Sequence, residues 1–485
     1  MGEWLSLASL TFLSWLRAGL LTSASFGMGN YLTGKRTAAA PNNIKEKTIC
    51  NREIKFEDLP EGVQCTILSK LPLKEVVRTS VLSSEWRYLW VHCPKLCFNS
   101  ADQVSGCKRC IKKFIDNVNT VLHKCSGEVV EELKVKFGFD STLADQVDSW
   151  ISFAASSRTK VLALDLESID SWTREDRYIF PFQLLNNESI SCLQSIELSF
   201  ISLKPPFQFR GFPNLRKLHL SLVHVTRKDL QDTLSSCCKI ECLSMDRCHL
   251  GDELKVDTPL FHLLHLRIVR CEFTKIEFHA VNLHTFTYRG PLRPIVLNSS
   301  RKLNDVTISL YKATFQHAFA SLLNGLPSVK HLTFHIIFLQ MEMQGLSNSN
   351  PYKFSRLRNL QLHMNIARED ADKILCLVSF LRATPLIEIL EVHFGCTDLW
   401  FADVAVGPTR QNLQRYEYTH LKSMNITGYK GARGQLEFIL HVVENAPALE
   451  ALTVYTTRGL QEHAGQVAKC CLSQKHSPTL KFCVV

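Results

Sequence analysis

Three histidines share one local pattern. LTFH at 332–335, LQLH at 360–363 and LEVH at 390–393 each place an imidazole, His335, His363 or His393, directly after two apolar residues separated by a polar one. Imidazole is the commonest metal ligand and the side chain that titrates near neutrality. On neighbouring strands the three would stack at about 4.8 Å, as a metal-binding or proton-sensitive ladder or as plain polar residues on a solvated face. The chain's 18 cysteines carry less chemistry. Cys93, Cys97, Cys107 and Cys110, with His92 nearby, contain a single C-x-x-C where structural zinc sites use two ligand pairs, so ordinary thiols and no bound metal are expected. Adjacent pairs such as Cys237-Cys238 and Cys470-Cys471 do not form a disulfide framework, and most other cysteines fall at apolar positions of the repeat described below. Buried free thiols predict a reducing compartment, the cytoplasm and/or nucleus.

Two glycine-rich stretches suggest phosphate. GNYLTGK at 29–35 nearly matches a phosphate-binding loop, but Arg36 replaces the magnesium-binding hydroxyl and no strand precedes it. GYKGARG at 428–434 is basic, yet a strand-to-helix connection needs glycine for its turn in any case. Neither G-x-S-x-G nor H-E-x-x-H occurs. The sequence therefore predicts a non-enzyme without cofactor or metal.

Most polar candidates sit inside a repeat. Pairs of apolar residues separated by one residue recur as Leu133/Val135, Leu164/Leu166, Ile196/Leu198, Leu218/Leu220, Leu243/Met245, Leu266/Ile268, Phe286/Tyr288, Val306/Ile308, Leu332/Phe334, Leu360/Leu362, Leu390/Val392, Met424/Ile426 and Leu452/Val454. Their mean spacing is about 27 residues, within the leucine-rich-repeat range, although single intervals vary from about 20 to about 34. Helical patterns follow several pairs, at 228–236, 315–324, 370–383 and 436–445. The expected fold is an α/β solenoid, an irregular horseshoe with a parallel sheet on its concave face and helices on its convex face. Side chains alternate across a strand, so the residues between the paired ones face the concave surface. They are Glu197, His219, Ser244, Arg267, Thr287, Thr307, Thr333, Gln361, Glu391, Asn425 and Thr453, all polar. Of these, His219, Arg267, Thr287, Thr307, Gln361 and Glu391, with His335, His363 and His393, are the candidate target-binding residues.

Upstream lies a stretch of different character, FEDLPEGVQCTILSKLPLKEVVRTSVLSSEWRYLWVHCPKLCF at 56–98. Asp58 and Pro60 suit a helix start, Val63, Ile67, Leu68 and Leu71 recur at helical spacing, and Pro72 ends the run. A second helix is expected over 73–82 with Val76, Val77, Val81 and Leu82, and a third, capped by Ser83 or Ser84, carries Trp86, Leu89 and Trp90. Three helices in about forty residues cannot bury so much apolar surface among themselves, which points to an interface.

This segment resembles the plant F-box, matching its pattern at Leu59-Pro60, Leu71-Pro72, Arg78, the run SVLS at 80–83 and Trp86-Arg87-x-Leu89-Trp90. Residues from about 410, including HLKSMNITGYKGARGQLEFILHVVENAPALEALTV at 420–454, resemble the FBD region that closes many plant F-box/leucine-rich-repeat proteins. The resemblance implies binding to a Skp1-like adaptor and, through it, to a cullin-RING ubiquitin ligase, with the repeats holding a target protein. It also implies that Leu59, Pro60, Ile67, Leu68, Leu71, Pro72, Val76, Val77, Val81 and Leu82 face the adaptor or support that face. The expected division is a leader at 1–52, the F-box at 53–99, a linker helix at 100–128, leucine-rich repeats at 129–410 and an FBD-like end at 411–485.

The leader and the charge set the alternatives. The apolar run at 4–26 is interrupted by Arg17 and preceded by Glu3 where a signal peptide would be basic, so it reads as a leader without a membrane span, and a targeting peptide is the competing reading. The net charge of +10 is scattered, and its densest cluster, Lys108, Arg109, Lys112 and Lys113, reads as a solvated helix face, so no nucleic-acid partner is expected. A non-ligase leucine-rich-repeat scaffold, membrane-linked through the leader, is the alternative function. Sequons at Asn187, Asn298 and Asn425 add little to it, because Asn425 falls on a predicted strand.

Overall fold

A computed structural model describes residues 58–68, 70–71, 75–76, 94–100, 108–125, 129–167, 176–298, 300–311, 314–326, 328–337, 354–365, 373–395, 411, 413, 415–456 and 481–484. The leader, with its GNYLTGK stretch, lies outside the described residues.

Fifteen strands form one parallel sheet whose spatial order follows the chain: Lys95–Asn99, Glu132–Lys136, Val161–Asp165, Ser195–Ser199, Lys217–Ser221, Cys242–Asp246, His265–Val269, Thr285–Pro291, Asp305–Tyr311, His331–Ile337, Asn359–Asn365, Ile389–Gly395, Ser423–Tyr429, Ala451–Thr456 and Lys481–Val484. Each strand alternates between the core and the concave face. Leu360 and Leu362 are 1% and 0% exposed, whereas Gln361 between them is half-buried on the other side. Burying one leucine contributes roughly 1.5–3 kcal/mol, so two apolar residues per strand, stacked strand after strand, form a continuous core that no single repeat could enclose.

Twelve of the thirteen expected apolar pairs stand in the observed register. The exception is one frame away: Leu133 and Val135 pair with Leu162 and Leu164, and Leu166 lies beyond the strand, although it too is fully buried. Two further strands, with Leu96 and Phe98 at one end and Phe482 and Val484 at the other, extend the sheet beyond the expected pairs. The helix Lys108–Lys124, expected to be a linker, is the crossover between the first two strands of this sheet. It buries Phe114, Ile115, Val118 and Leu122 and keeps Arg109, Lys112 and Lys113 exposed, as its amphipathic pattern implies. Trp150, on the helix Ala144–Ser156, packs edge-on to Phe137 and donates its indole N–H to Asn119 Oδ1 at 2.8 Å, tying the first two convex helices together.

The convex side is mixed rather than wholly helical. The helices Arg227–Leu234, Phe315–Gly325 and Arg433–Asn445 fall where the sequence places them. Asn187–Cys192 is a further short helix, and Thr226 and Thr314 cap theirs by accepting the backbone N–H groups of Asp229 and His317. In the middle repeats, however, short strands replace helices: Leu254–Val256, Ile276–His279 and Ile295–Asn298 form a second parallel sheet, and Tyr178–Ile179, Ile201–Leu203 and His224–Val225 a third. Four successive strand exits turn into this third layer through a left-handed residue, Phe200, Leu222, Arg247 and Arg270, with φ between 51° and 62°. Each costs about 1–2 kcal/mol in a non-glycine residue. The ladder offsets this, because Phe200, Leu222 and Arg247 donate their N–H to Ser221, Asp246 and Val269 on the next strand at 2.8–3.0 Å.

The thiols divide. Cys125, Cys237, Cys248, Cys271 and Cys376 are buried and unbridged, as expected of core positions, but Cys97, Cys238 and Cys483 are exposed, with Cys110, Cys192 and Cys242 between. The expectation that most cysteines occupy apolar core positions therefore does not hold for the described set. Cys97, Cys242 and Cys483 stand on the concave face, where a small polar or weakly polar side chain suffices. Cys93, Cys107 and His92 of the zinc-like group lie outside the described residues.

The GYKGARG stretch is a turn. Gly428 and Gly431 adopt φ of 70° and 79°, and a Cβ at Gly428 would overlap the Phe394 carbonyl. Gln435, fully buried, accepts the Lys430 N–H at 2.9 Å and donates to the Gly428 carbonyl at 3.3 Å, so the loop's polar groups are satisfied from within. Gly428→Ala is expected to destabilise the chain by at least about 2 kcal/mol through left-handed strain and that overlap, with no change at Gly431→Ala beyond the strain alone; equilibrium urea unfolding of both variants checks the order.

Candidate functional site

Parallel register carries every concave position from strand to strand. The central row runs without a break from Cys97 through Lys134, Ala163, Glu197, His219, Ser244, Arg267, Thr287, Thr307, Thr333, Gln361, Glu391, Asn425 and Thr453 to Cys483. All of the candidate central residues are in it. Ala163 is the one apolar intruder, and Ser244, expected to be open, is only 6% exposed.

The three histidines stand side by side in the row two residues further on. His335 stacks on His363 with ring centroids 4.2 Å apart and planes 9° apart, and His363 on His393 at 4.4 Å and 18°. Face-to-face rings point their in-plane lone pairs along parallel lines rather than at a common ion. Among the described residues no group of three His, Cys, Asp or Glu side chains is placed to hold a metal. The stacked geometry therefore does not direct the three imidazoles at one shared ion. Burial lowers the pKa of His363, and its two stacked neighbours lower it further, to about 4. Burial, then Arg289, then His393 lower that of His335. Two imidazolium charges about 4 Å apart would repel by about 4 kcal/mol at an effective dielectric of 20, so the stack resists a second proton.

A hydrogen-bonded chain pins the same patch. Thr333 Oγ1 donates to Gln361 Oε1 at 3.2 Å, and Gln361 Nε2 lies 3.1 Å from Glu391 Oε2 and 3.2 Å from His393 Nε2, serving both with its two hydrogens. His393 Nδ1 meets Thr427 Oγ1 at 2.7 Å. Five side chains on four strands are thus fixed before anything binds, which reduces the ordering cost of recognition.

Sequence reasoning missed Arg289. It occupies the position of His335 two strands earlier, directly after the apolar pair Phe286/Tyr288, so the same positional signal was available. It also missed the ion pairs at the start of the sheet, where Lys134 and Lys136 approach Glu132 and Asp165 at 2.9 and 2.6 Å.

Of the expected adaptor face, the helix Glu61–Leu68 is observed, opened by Pro60, whose carbonyl accepts the N–H of Val63 and Gln64. Pro60 is exposed, and Leu59, Ile67 and Leu71 are half-buried, leaving apolar surface available together with Val63, which is 43% exposed. Val76 is fully buried. Pro72, Val77, Val81 and Leu82 lie outside the described residues, as does the side chain of Leu68, together with the expected third helix and its two tryptophans.

A right-running parallel sheet with one polar row per strand position, closed behind by an apolar core, defines a leucine-rich-repeat solenoid. Known families agree with it. The model of the At1g61320/AtMIF1 leucine-rich-repeat domain matches residues 121–480, and the F-box domain model matches residues 56–98. The F-box/FBD/LRR-repeat protein At1g13570 of Arabidopsis thaliana is 26% identical over 414 residues, 82% of this chain and 90% of its own length. The F-box/LRR-repeat protein At3g26922 of the same plant is 31% identical over 207 residues, 42% of this chain and 63% of its own length. The chain belongs to the F-box/leucine-rich-repeat family, whose role is protein interaction.

The depressed His363 pKa has a consequence for stability. Unfolded, this side chain protonates near 6.5, and folded only near 4, so between those values the unfolded state holds the extra proton. The contribution of the neutral stack is complete above about pH 6.5 and is lost as pH falls towards 4. Urea midpoints at pH 7 and pH 5 are expected to differ more in the wild-type chain than in His363→Gln.

Proposed function

We propose that this protein is the substrate-recognition subunit of a Skp1–cullin–F-box ubiquitin ligase. The observation that carries the reading is the presence in one chain of an F-box at 56–98 and a fifteen-stranded repeat sheet with a polar, prearranged concave face. The F-box surface around Leu59, Pro60 and Ile67 is apolar and partly exposed, the character of an anchor that a partner covers. The concave surface is hydrogen-bonding and suits a different occupant, a target protein. Held on one chain, adaptor and target are brought within reach of a ubiquitin-charged enzyme recruited by the cullin. The contribution is proximity and orientation, which needs no catalytic group on this chain. Among the described residues no helix is long and apolar enough to cross a membrane. The unbridged buried thiols suit the cytoplasm or nucleus.

Affinity purification of the full-length chain with a Skp1-type adaptor tests the reading. Leu59→Ala combined with Pro60→Ala is expected to weaken adaptor retention at least about tenfold, as loss of a central apolar anchor does, while Gln361→Ala, on the concave face, leaves it unchanged. Adaptor retention that survives the F-box double substitution, or that never occurs, would refute the proposal.

A further inference from the structure

Charge is unevenly compensated across the concave face. On the first strands each lysine lies against a carboxylate, Lys95 Nζ 3.7 Å and Lys134 Nζ 2.9 Å from Glu132, and Lys136 Nζ 2.6 Å from Asp165. Towards the far end, Glu391 is held by Gln361 and approached by His393. Between these regions Arg267 and Arg289 are both exposed, and among the described residues neither has an ion pair. Arg267 pairs in register with Thr287, and Arg289 with Val269, so the two arginines are diagonal neighbours on adjacent strands, with Cα atoms about 7–8 Å apart. The adjacent carboxylate that could reach them, Asp246, is engaged by Arg247 Nε at 3.3 Å. Asp305 stands four residues before Ser309, the position level with Arg289.

A second observation falls at the same place. Ser244 lies beside Arg267 in the central row, and its Oγ is buried with no hydrogen-bond partner among the described residues. A buried hydroxyl left unpaired costs roughly 1–3 kcal/mol. That cost is relieved when an acceptor displaces the side chains that cover the hydroxyl, and two guanidinium forks beside it select a planar anionic acceptor.

We propose that Ser244, Arg267 and Arg289 form a carboxylate-binding subsite that receives an acidic segment of the target polypeptide. The inference rests on the concave face being the target-binding surface and names the chemistry it selects. The row that contains Arg289 continues through Ser309 to His335 and His363, adding donors in the same direction. Ser244 to His363 spans five strand spacings, about 24 Å, the reach of about seven extended residues. A nucleic-acid backbone fits less well, because Glu197, Asp246, Asp305 and Glu391 on the same face would meet its evenly spaced phosphates, whereas separate carboxylates can be placed between them.

Fluorescence anisotropy with the full-length chain tests this. The probes are a labelled seven-residue peptide of alternating Glu and Ser and its Gln-for-Glu counterpart. The Glu peptide is expected to bind at least about tenfold more tightly at low salt, with the difference shrinking as salt rises. Arg267→Gln with Arg289→Gln should abolish the preference, Ser244→Ala should weaken Glu-peptide binding roughly three- to tenfold, and replacing both arginines by Lys should give an intermediate value. Lys112→Gln with Lys113→Gln, on the convex helix, should change nothing. Equal binding of the two peptides, an equal loss in the convex control, or displacement of the Glu peptide by oligouridylate at matched charge would each overturn the proposal. Adaptor retention measured on the same samples separates the two readings: a missing peptide preference with the adaptor bound removes the subsite alone, and a persisting preference without adaptor removes the ligase reading alone.

Discussion

An apolar pair on one side of each strand decides what the other side presents. Because side chains alternate with a period of two, locking Leu360 and Leu362 into the core leaves Gln361 and His363 nowhere to go but the concave face. A slip of one residue would put leucines in water and glutamine in the core, at a cost of several kcal/mol per strand. The hydrogen-bonded ladder then passes each phase to the next strand. The histidine stack, the Thr333–Gln361–His393–Thr427 chain and the Arg267–Arg289 diagonal are all consequences of that one constraint, since each joins residues that stand on different strands and lie more than twenty positions apart in sequence.

Most of the sheet was legible for the same reason, and its misreadings have identifiable causes. Residues 161–166 read VLALDL, where Leu162, Leu164 and Leu166 share a face, so two frames satisfy the alternation equally and only pairing with Leu133 and Val135 distinguishes them. The end strands were missed because each shows a single short apolar pair with no repeat beyond it for comparison. The convex strands, such as Leu254–Val256, carry too few residues for either period to register. The concave histidines were readable because they recur at one position. The burial of Ser244 was not, because burial at a concave position is set by side chains distant in sequence, and the uncompensated charge of Arg267 depends on which carboxylates other arginines have already taken.

The two proposed contact surfaces differ in physical kind. The F-box surface offers half-buried apolar side chains on a short helix, where affinity comes from excluding water. The concave surface offers donors and acceptors already fixed by one another, where selectivity comes from leaving mismatched polar groups unpaired. The ion pairs at its start, largely exposed, are worth at most about 1 kcal/mol each and serve mainly to cancel charge. That cancellation is what makes the uncompensated centre distinctive.

The central row is unbroken from Cys97 to Cys483, yet the stretches between strands differ in length and even in type, helix in some repeats and strand in others. Length is therefore free on the convex side and phase is fixed on the concave side. A strand with its connection behaves as an exchangeable cassette: whole units can be gained, lost or swapped in descent without disturbing the lettering of the units on either side. Such a surface can be rewritten one rung at a time, while the F-box that docks it is left alone.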